Sequence, residues 1–156
     1  MSNSLSVDKD YTLWVLLFQA RDVALKLRQK ELRRYGISPE QAGVLFILHT
    51  IGNTATPAEI SRWLLRKHHT VLGILGRMEK AGLIRKMKDS VRKNLVRVSL
   101  TEKGQQAYYQ SIRIESIREI MSSLSEEERQ QLNSCLQTLR DKALKGLGMD
   151  QKPPFP

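Results

Sequence analysis

The chain has 156 residues, of which 40% are hydrophobic and 27% charged, and its formal net charge is +10. This is enough apolar material for one domain, or for two small modules that share a core. The longest apolar clusters have six residues, far short of a membrane span, so no membrane partner is expected. A single cysteine, Cys135, excludes a disulfide framework, and residues 1–8 lack a secretory signal. These features favour a cytoplasmic protein.

Several helix starts are marked by a hydroxyl residue with Glu or Gln three positions later. The three segments are Ser38-Pro-Glu-Gln41, Thr56-Pro-Ala-Glu59 and Ser125-Glu-Glu-Glu128, and Thr101-Glu102 is a fourth plausible start. This spacing is typical of a capping box, in which two free backbone N–H groups gain acceptors. Proline in the first two segments occupies a position where its missing N–H costs nothing.

Apolar spacing predicts helices over about 9–34, 39–50, 57–65 and 69–81, strands over about 83–88 and 95–100, and helices over about 101–122 and 126–145. The fold class is therefore mainly α with a small β-hairpin wing. Residues 37–101 form a winged helix-turn-helix module, flanked by dimerisation helices within 1–36 and 102–147. These flanking helices carry more apolar surface than the module alone covers, which predicts a homodimer. Residues 148–156 are expected to be a flexible tail.

The positive charge is concentrated in this middle module. Between Ala55 and Leu100, eleven basic residues face three acidic ones, leaving +8 of the chain's +10. Such a surface suits a polyanion, because each neutralised phosphate releases a condensed counterion. Double-stranded DNA is therefore the expected partner. The candidate DNA contacts are Thr56, Lys67, His68, His69, Thr70, Gly73, Arg77, Lys80, Lys88, Arg92 and Lys93.

Two glycines inside the predicted second helix of the helix-turn-helix are unusual. Gly73 and Gly76 each cost roughly 1 kcal/mol relative to alanine. Close approach of the backbone to DNA and tight packing against a neighbouring helix explain them equally well. Arg92 and Lys93 lie at the hairpin tip, and an arginine there is expected to enter the adjacent minor groove, with an ordinary solvated turn as the alternative.

The chain resembles the MarR family of bacterial transcription regulators in the segments Arg77-Met-Glu-Lys-Ala-Gly-Leu-Ile84 and Val96-Arg-Val-Ser-Leu-Thr-Glu-Lys-Gly104. The resemblance implies a homodimer with paired winged modules on a palindromic operator. It also implies an acid and two arginines at the wing tip, where this chain has Arg92-Lys93-Asn94. The salt bridge that braces many family wings is therefore expected to be absent. The family's frequent Thr-Arg pair is replaced by Leu72-Gly73, which removes an expected base-reading arginine.

Many members of the family bind small aromatic anions between the dimerisation helices and the winged module. The matching candidates for an effector pocket are Trp14, Phe18, Arg21, His49 and Tyr108, with Tyr109 nearby. Ordinary core or interface packing is the alternative for each aromatic residue. His49, His68 and His69 do not complete a tetrahedral metal set, so neither a metal nor a cofactor is expected. Nor do the residues form a catalytic set, which argues against an enzyme.

The sequence thus predicts a homodimeric DNA-binding transcriptional regulator, a repressor of a palindromic operator that a small aromatic or anionic effector relieves. Two alternatives remain open at this point. One is an architectural protein that binds DNA without sequence preference, and the other is a winged-helix protein-interaction module.

Overall fold

The computed structural model describes residues 8–52, 54–149 and 153. Within these ranges the elements are α1 (Lys9–Arg33), α2 (Pro39–Ile51), α3 (Pro57–Leu64), α4 (His68–Lys80), β1 (Ile84–Lys88), β2 (Val96–Leu100), α5 (Glu102–Ser111), α6 (Glu115–Met121) and α7 (Glu126–Gly146). The predicted mainly helical fold with a hairpin wing is confirmed. Most of the predicted flexible tail, residues 150–152 and 154–156, lies outside the described residues.

One predicted helix is wrong. The single helix expected from Thr101 to about Ser122 is divided into α5 and α6, and Ile114 at the break has a positive φ of 45°. No proline or glycine marks this break in the sequence. Side chains of α1 bind the backbone on both sides of it: Arg28 Nη2 donates to the carbonyl of Ser111 at 2.7 Å, and Glu31 accepts from the N–H of Ser116 at 2.5 Å. Tertiary hydrogen bonds therefore stabilise the interruption.

The predicted helix caps are present. Ser38 has both bonds of a capping box, because its hydroxyl accepts from the N–H of Gln41 and the Gln41 side chain accepts from the N–H of Ser38. The hydroxyls of Thr56, Thr101 and Ser125 each accept from the N–H three residues later. These bonds fix where α2, α3, α5 and α7 begin, and so the orientation of each helix entry.

The hydrophobic core lies mainly within the winged module, and Leu32 of α1 and Ala107 and Tyr108 of α5 also belong to it. Val44, Leu45, Ile60, Leu75 and Val98 are among its fully buried side chains and come from α2, α3, α4 and β2. The strands β1 and β2 are antiparallel, with Ile84 opposite Leu100 and Lys88 opposite Val96. Ala55 extends this small sheet, because its carbonyl accepts from the N–H of Val98 at 2.8 Å. The wing is thereby attached to the loop between α2 and α3.

Gly104 allows α5 to pack closely against the start of the wing. A Cβ at this position would lie 1.9 Å from the carbonyl oxygen of Leu83, which is far inside any permitted contact. The hydroxyl of Thr101 also donates to the carbonyl of Gly82 at 2.5 Å. The first turn of α5 is therefore fixed to Gly82 and Leu83, between α4 and β1, which links the module to the helices that follow it.

The flanking helices leave many large apolar side chains exposed: Tyr11, Leu13, Trp14, Leu16, Leu17, Phe18 and Val23 on α1, and Leu136 and Leu139 on α7. Several of these are more than half exposed, Leu13 by 65% and Phe18 by 57%. A contiguous surface of this kind is typical of a protein interface. None of the helices in the described ranges has the length and apolarity that a bilayer crossing requires.

Candidate nucleic-acid interface

The second helix of the helix-turn-helix, α4, is amphipathic. Val71, Ile74, Leu75 and Met78 are buried against the core. The opposite side carries exposed residues, namely His68, His69, Thr70, Gly73, Arg77 and Lys80. In a helix-turn-helix protein this second helix enters the major groove. The structure therefore brings the predicted contacts on α4 together on one outward surface.

The N-terminus of α4 is open. Its N-cap residue, Lys67, makes no side-chain capping hydrogen bond, so the first N–H groups of the helix remain available. Arg66, Lys67, Thr70 and Arg77, together with Glu40 from α2, line a crevice of about 590 Å³ beside this end. The positive end of a helix dipole and three cations favour an anion here.

Among the predicted DNA contacts, all of which lie in the described ranges, only Thr56 is buried. It is 7% exposed, and its hydroxyl accepts from the N–H of Glu59 at 3.2 Å. The residue therefore caps α3, and its polar atom is engaged within the module. This capping role accounts for a threonine at this position, and a DNA contact by Thr56 stays a prediction.

The two interior glycines of α4 are not explained by tight packing. A Cβ at Gly76 would meet no atom within 4 Å, and a Cβ at Gly73 would approach Nη1 of Arg77 alone, at 3.6 Å. Of the two explanations left open by the sequence, packing on a neighbouring helix is thus excluded within the described residues. Open space above the helix remains, which a DNA surface could occupy.

The expectation of an unbraced wing is wrong. Asp89 and Arg97 form a salt bridge with 2.9 Å between Oδ2 and Nε, and Arg97 also donates to the carbonyl of Thr54 at 2.8 Å. The expectation failed because it considered neighbours at the tip, whereas the antiparallel register brings Asp89 beside Arg97 on the opposite strand. Asp89 accepts from the N–H of Val91 at 2.8 Å as well. The N–H of Val91 and then the guanidinium of Arg97 lower the pKa of Asp89.

Most cations of the winged module lack an intramolecular partner. Lys86 lies 3.9 Å from Glu79, and Arg97 is held by Asp89. Within the described ranges, the following side chains form neither a hydrogen bond nor an ion pair: Arg66, Lys67, Arg77, Lys80, Arg85, Lys88, Arg92 and Lys93. Unpaired cations on one module form a surface that attracts a polyanion.

The five candidate effector residues fall into separate groups. His49 and Tyr108 stack with 3.9 Å between ring centroids, whereas Trp14 and Phe18 form a tilted pair at 6.3 Å on α1. Arg21 is 3.1 Å from Asp22 and lines an apolar groove between α1 and α6. Among the described residues, no ring contact joins the α1 pair to His49 or Tyr108.

Sequence reasoning missed Gln105, although it placed Tyr109 near the candidate effector residues. Gln105 Nε2 lies 3.2 Å from Nδ1 of His49, and Tyr109 meets the His49 ring edge-on at 6.2 Å. Gln105 and Tyr109 share a face of α5, since they are four residues apart, and this spacing could have indicated the cluster. No three His, Cys, Asp or Glu residues of the described ranges are grouped as a metal site would need.

Comparison with known proteins identifies the family. Residues 35–93 match the family model described as "MarR family". The chain is 29% identical over 113 residues to the uncharacterized HTH-type transcriptional regulator YsmB of Bacillus subtilis, covering 69% of this chain and 77% of that one.

Solved structures extend this likeness to almost the whole chain. The organohalide-sensing transcriptional regulator RdhR-CbdbA1625, in its ligand-free form, is 30% identical with a TM-score of 0.88, covering 97% of this chain and 92% of that one. A probable transcriptional regulator from Pseudomonas aeruginosa is 25% identical with a TM-score of 0.74, covering 81% of this chain and 96% of that one. The winged helix-turn-helix chain described above therefore belongs to the MarR family of DNA-binding transcriptional regulators.

Proposed function

We propose that the protein is a homodimeric repressor that binds a palindromic DNA operator through two winged modules. The observation that carries this proposal is the set of unpaired cations that surrounds the open N-terminus of α4. In this arrangement α4 reads base edges in the major groove, and the braced wing carries Arg92 and Lys93 to the neighbouring groove. Operator binding implies a cytoplasmic location and a regulatory role in place of catalysis.

The proposed division of labour follows the distribution of charge and apolar surface. Residues 37–101 bind DNA, and residues 1–36 and 102–147 dimerise through the exposed apolar side chains of α1 and α7. Two symmetry-related modules would meet half-sites about one helical turn apart, roughly 34 to 36 Å. The palindrome follows from the two-fold axis of the dimer.

Operator binding is tested by selection of bound duplexes from fragmented genomic DNA, followed by fluorescence anisotropy with a selected duplex and a scrambled one. We expect a palindrome, and a preference of at least about 1000-fold at fixed salt. An architectural protein would bind both duplexes alike. A protein-interaction module would ignore both at physiological salt, and either result contradicts the proposal.

Dimerisation is tested with Phe18→Glu, because a buried carboxylate at an interface is costly. In analytical ultracentrifugation at micromolar concentration we expect the wild type to be a dimer and Phe18→Glu to be a monomer. Met87→Glu is the matched control, since Met87 on the wing is 58% exposed and Phe18 is 57% exposed. A dimer that survives Phe18→Glu places the interface elsewhere.

For the effector, we propose a small aromatic anion that binds beside His49, Tyr108 and Tyr109. The regulator that is 30% identical has been solved in a 2,4-dichlorophenol-bound form. In the present chain, Tyr109 offers an exposed ring for stacking, and the side chains of His49 and Gln105 offer polar atoms for a phenolate oxygen.

The probe is 2,4-dichlorophenol, titrated into the complex of the protein with a selected duplex. We expect release of the duplex, and we expect His49→Ala to weaken the effect at least about tenfold, the cost of one charge-assisted hydrogen bond. Thr50→Ala, an exposed change on the next residue, is the control. Release that is unchanged in His49→Ala, or that occurs equally with 2,4-dichloroanisole, contradicts the proposed site.

A further inference from the structure

The Arg77 guanidinium occupies space that a side chain longer than alanine would fill at Gly73, one turn earlier on α4. A Cβ at Gly73 would lie 3.6 Å from Nη1 of Arg77, so the guanidinium lies over Gly73. Long helical side chains lean toward the helix N-terminus and cover the preceding turn. The charge of Arg77 is therefore presented one turn closer to the N-terminal end of α4 than its own Cα.

This guanidinium is free to bind a partner outside the chain. Arg77 and Gly73 are both exposed, and the Arg77 side chain has no hydrogen bond or ion pair among the described residues. Glu40 lines the same crevice without forming an ion pair with Arg77. Arg97 differs, because Asp89 and the carbonyl of Thr54 engage its guanidinium.

The geometry suits a base edge. The guanidinium lies at the level of Gly73, in the middle of α4, and Arg77 shares a crevice with Lys67 and Thr70 at the N-terminal end of the helix, which is the end that faces the bases. A guanidinium has two parallel N–H groups that match O6 and N7 of guanine. We infer that Gly73 and Arg77 form one base-reading unit, in which Gly73 leaves the space that the Arg77 guanidinium needs to bind a guanine in each half-site. This inference rests on the proposed function, and it assigns Arg77 to a base where a phosphate is the alternative.

The test selects bound duplexes from a randomised 30-base-pair library with the wild type and five variants, one of which combines Arg77→Ala with Gly73→Leu. Arg77→Ala removes the guanidinium, and Gly73→Leu fills its place with atoms beyond Cβ. Gly73→Ala adds only a Cβ at an ordinary contact distance of 3.6 Å. Gly146→Leu is the control, since a Cβ there meets no described atom within 4 Å and the residue lies at the end of α7, outside the DNA-binding module. Thermal unfolding by circular dichroism verifies that each variant is folded.

We expect Arg77→Ala and Gly73→Leu to lose the same guanine preference, by about 5-fold to 150-fold, while the other positions of the palindrome keep theirs. The double variant should lose no more at that position than either single variant. Gly146→Leu should retain the guanine. Gly73→Ala should retain it too, and its melting temperature should rise by about 2 to 4 °C because alanine favours the helix.

Two results overturn the inference while leaving the proposed function intact. One is a selected palindrome whose base preferences are unchanged in Arg77→Ala, with affinity lowered equally for all duplexes, as a phosphate contact would give. The other is loss of the guanine in Arg77→Ala but not in Gly73→Leu. If the wild type selects no sequence at all, the proposed function fails and this inference fails with it.

Discussion

In the winged module, cations such as Arg66, Lys67 and Arg77 are exposed and have no side-chain partner among the described residues. On α1, by contrast, Arg28 and Glu31 are bound to each other, and their side chains are only 14% and 7% exposed. Apolar side chains show the opposite distribution, because the module buries Leu45 and Val98 while α1 exposes Leu13 and Phe18. The module therefore offers unpaired charge that suits a polyanion, and the flanking helices offer apolar surface that suits a protein partner.

The largest effect on stability is expected at the ion pair between Arg28 and Glu31. Glu31→Ala should lower the free energy of unfolding by about 3 to 5 kcal/mol, because it leaves the Arg28 guanidinium, which is 14% exposed, without its counter-charge and the N–H of Ser116 without its acceptor. Urea unfolding at equal protein concentration measures this. Asp22→Asn removes an exposed partner of Arg21 and is the control, with an effect below about 1 kcal/mol. Equal effects in both variants would show that burial of the pair does not matter.

The same pair predicts a pH dependence. Burial by itself raises the pKa of Glu31, but the N–H of Ser116 and the charge of Arg28 outweigh it and bring the pKa below its ordinary 4.5. The resulting stability is present above about pH 4.5 and is lost as the pH falls through the lowered value. Glu31→Gln should therefore flatten the dependence of melting temperature on pH in this acidic range. If the melting temperature of Glu31→Gln falls with decreasing pH as much as that of the wild type, Glu31 is not the source of this pH dependence.

The next largest effect concerns the junction between the wing and α5. Gly104→Ala should lower the free energy of unfolding by about 1 to 3 kcal/mol or more, because its Cβ would meet the carbonyl oxygen of Leu83 at 1.9 Å. Gly146→Ala, at a helix position where a Cβ meets no described atom within 4 Å, should instead stabilise by up to about 1 kcal/mol. Urea unfolding of both variants checks the sign, and destabilisation by both would contradict this account.

A smaller effect is expected at the wing brace. Asp89→Asn removes the charge that holds Arg97 and weakens the turn at Val91, so the wing should bind a selected duplex several-fold more weakly. The free energy of global unfolding should change little, because the salt bridge between Asp89 and Arg97 is on the surface of the hairpin. Anisotropy titration measures the loss. Glu79→Gln, which removes the 3.9 Å contact to Lys86, is the comparison, and equal losses would show that the brace is not specific.

The smallest effect on DNA binding is expected from the loss of one exposed cation at the tip of the wing. Lys93→Ala should weaken binding to every duplex alike and reduce the slope of log affinity against log salt by about 1, as the loss of one phosphate contact does. Lys145→Ala, an exposed change at the end of α7, should leave the slope unchanged. A slope that Lys93→Ala does not alter would place this side chain away from the DNA.

Much of the fold was predictable because local signals determine it. Ser38, Thr56, Thr101 and Ser125 marked helix starts that the structure confirms, since a cap needs only residues three positions apart. The buried face of α4 followed from its helical spacing. The outward residues of the recognition helix were therefore identified from the sequence, although their contacts with DNA remain predictions.

The remaining features depend on residues that are distant in the chain. Arg28 and Glu31 lie more than 80 residues from Ser111 and Ser116, whose backbone they bind where α5 ends and α6 begins. Asp89 finds Arg97 only when the strands pair in register, and the grouping of His49 with Tyr108 requires α2 to pack on α5. Local propensity and spacing fixed the helices, the hairpin and the concentration of charge. The broken helix, the wing brace and the separation of the aromatic pairs were decided by tertiary contacts, whose partners no short-range pattern specifies.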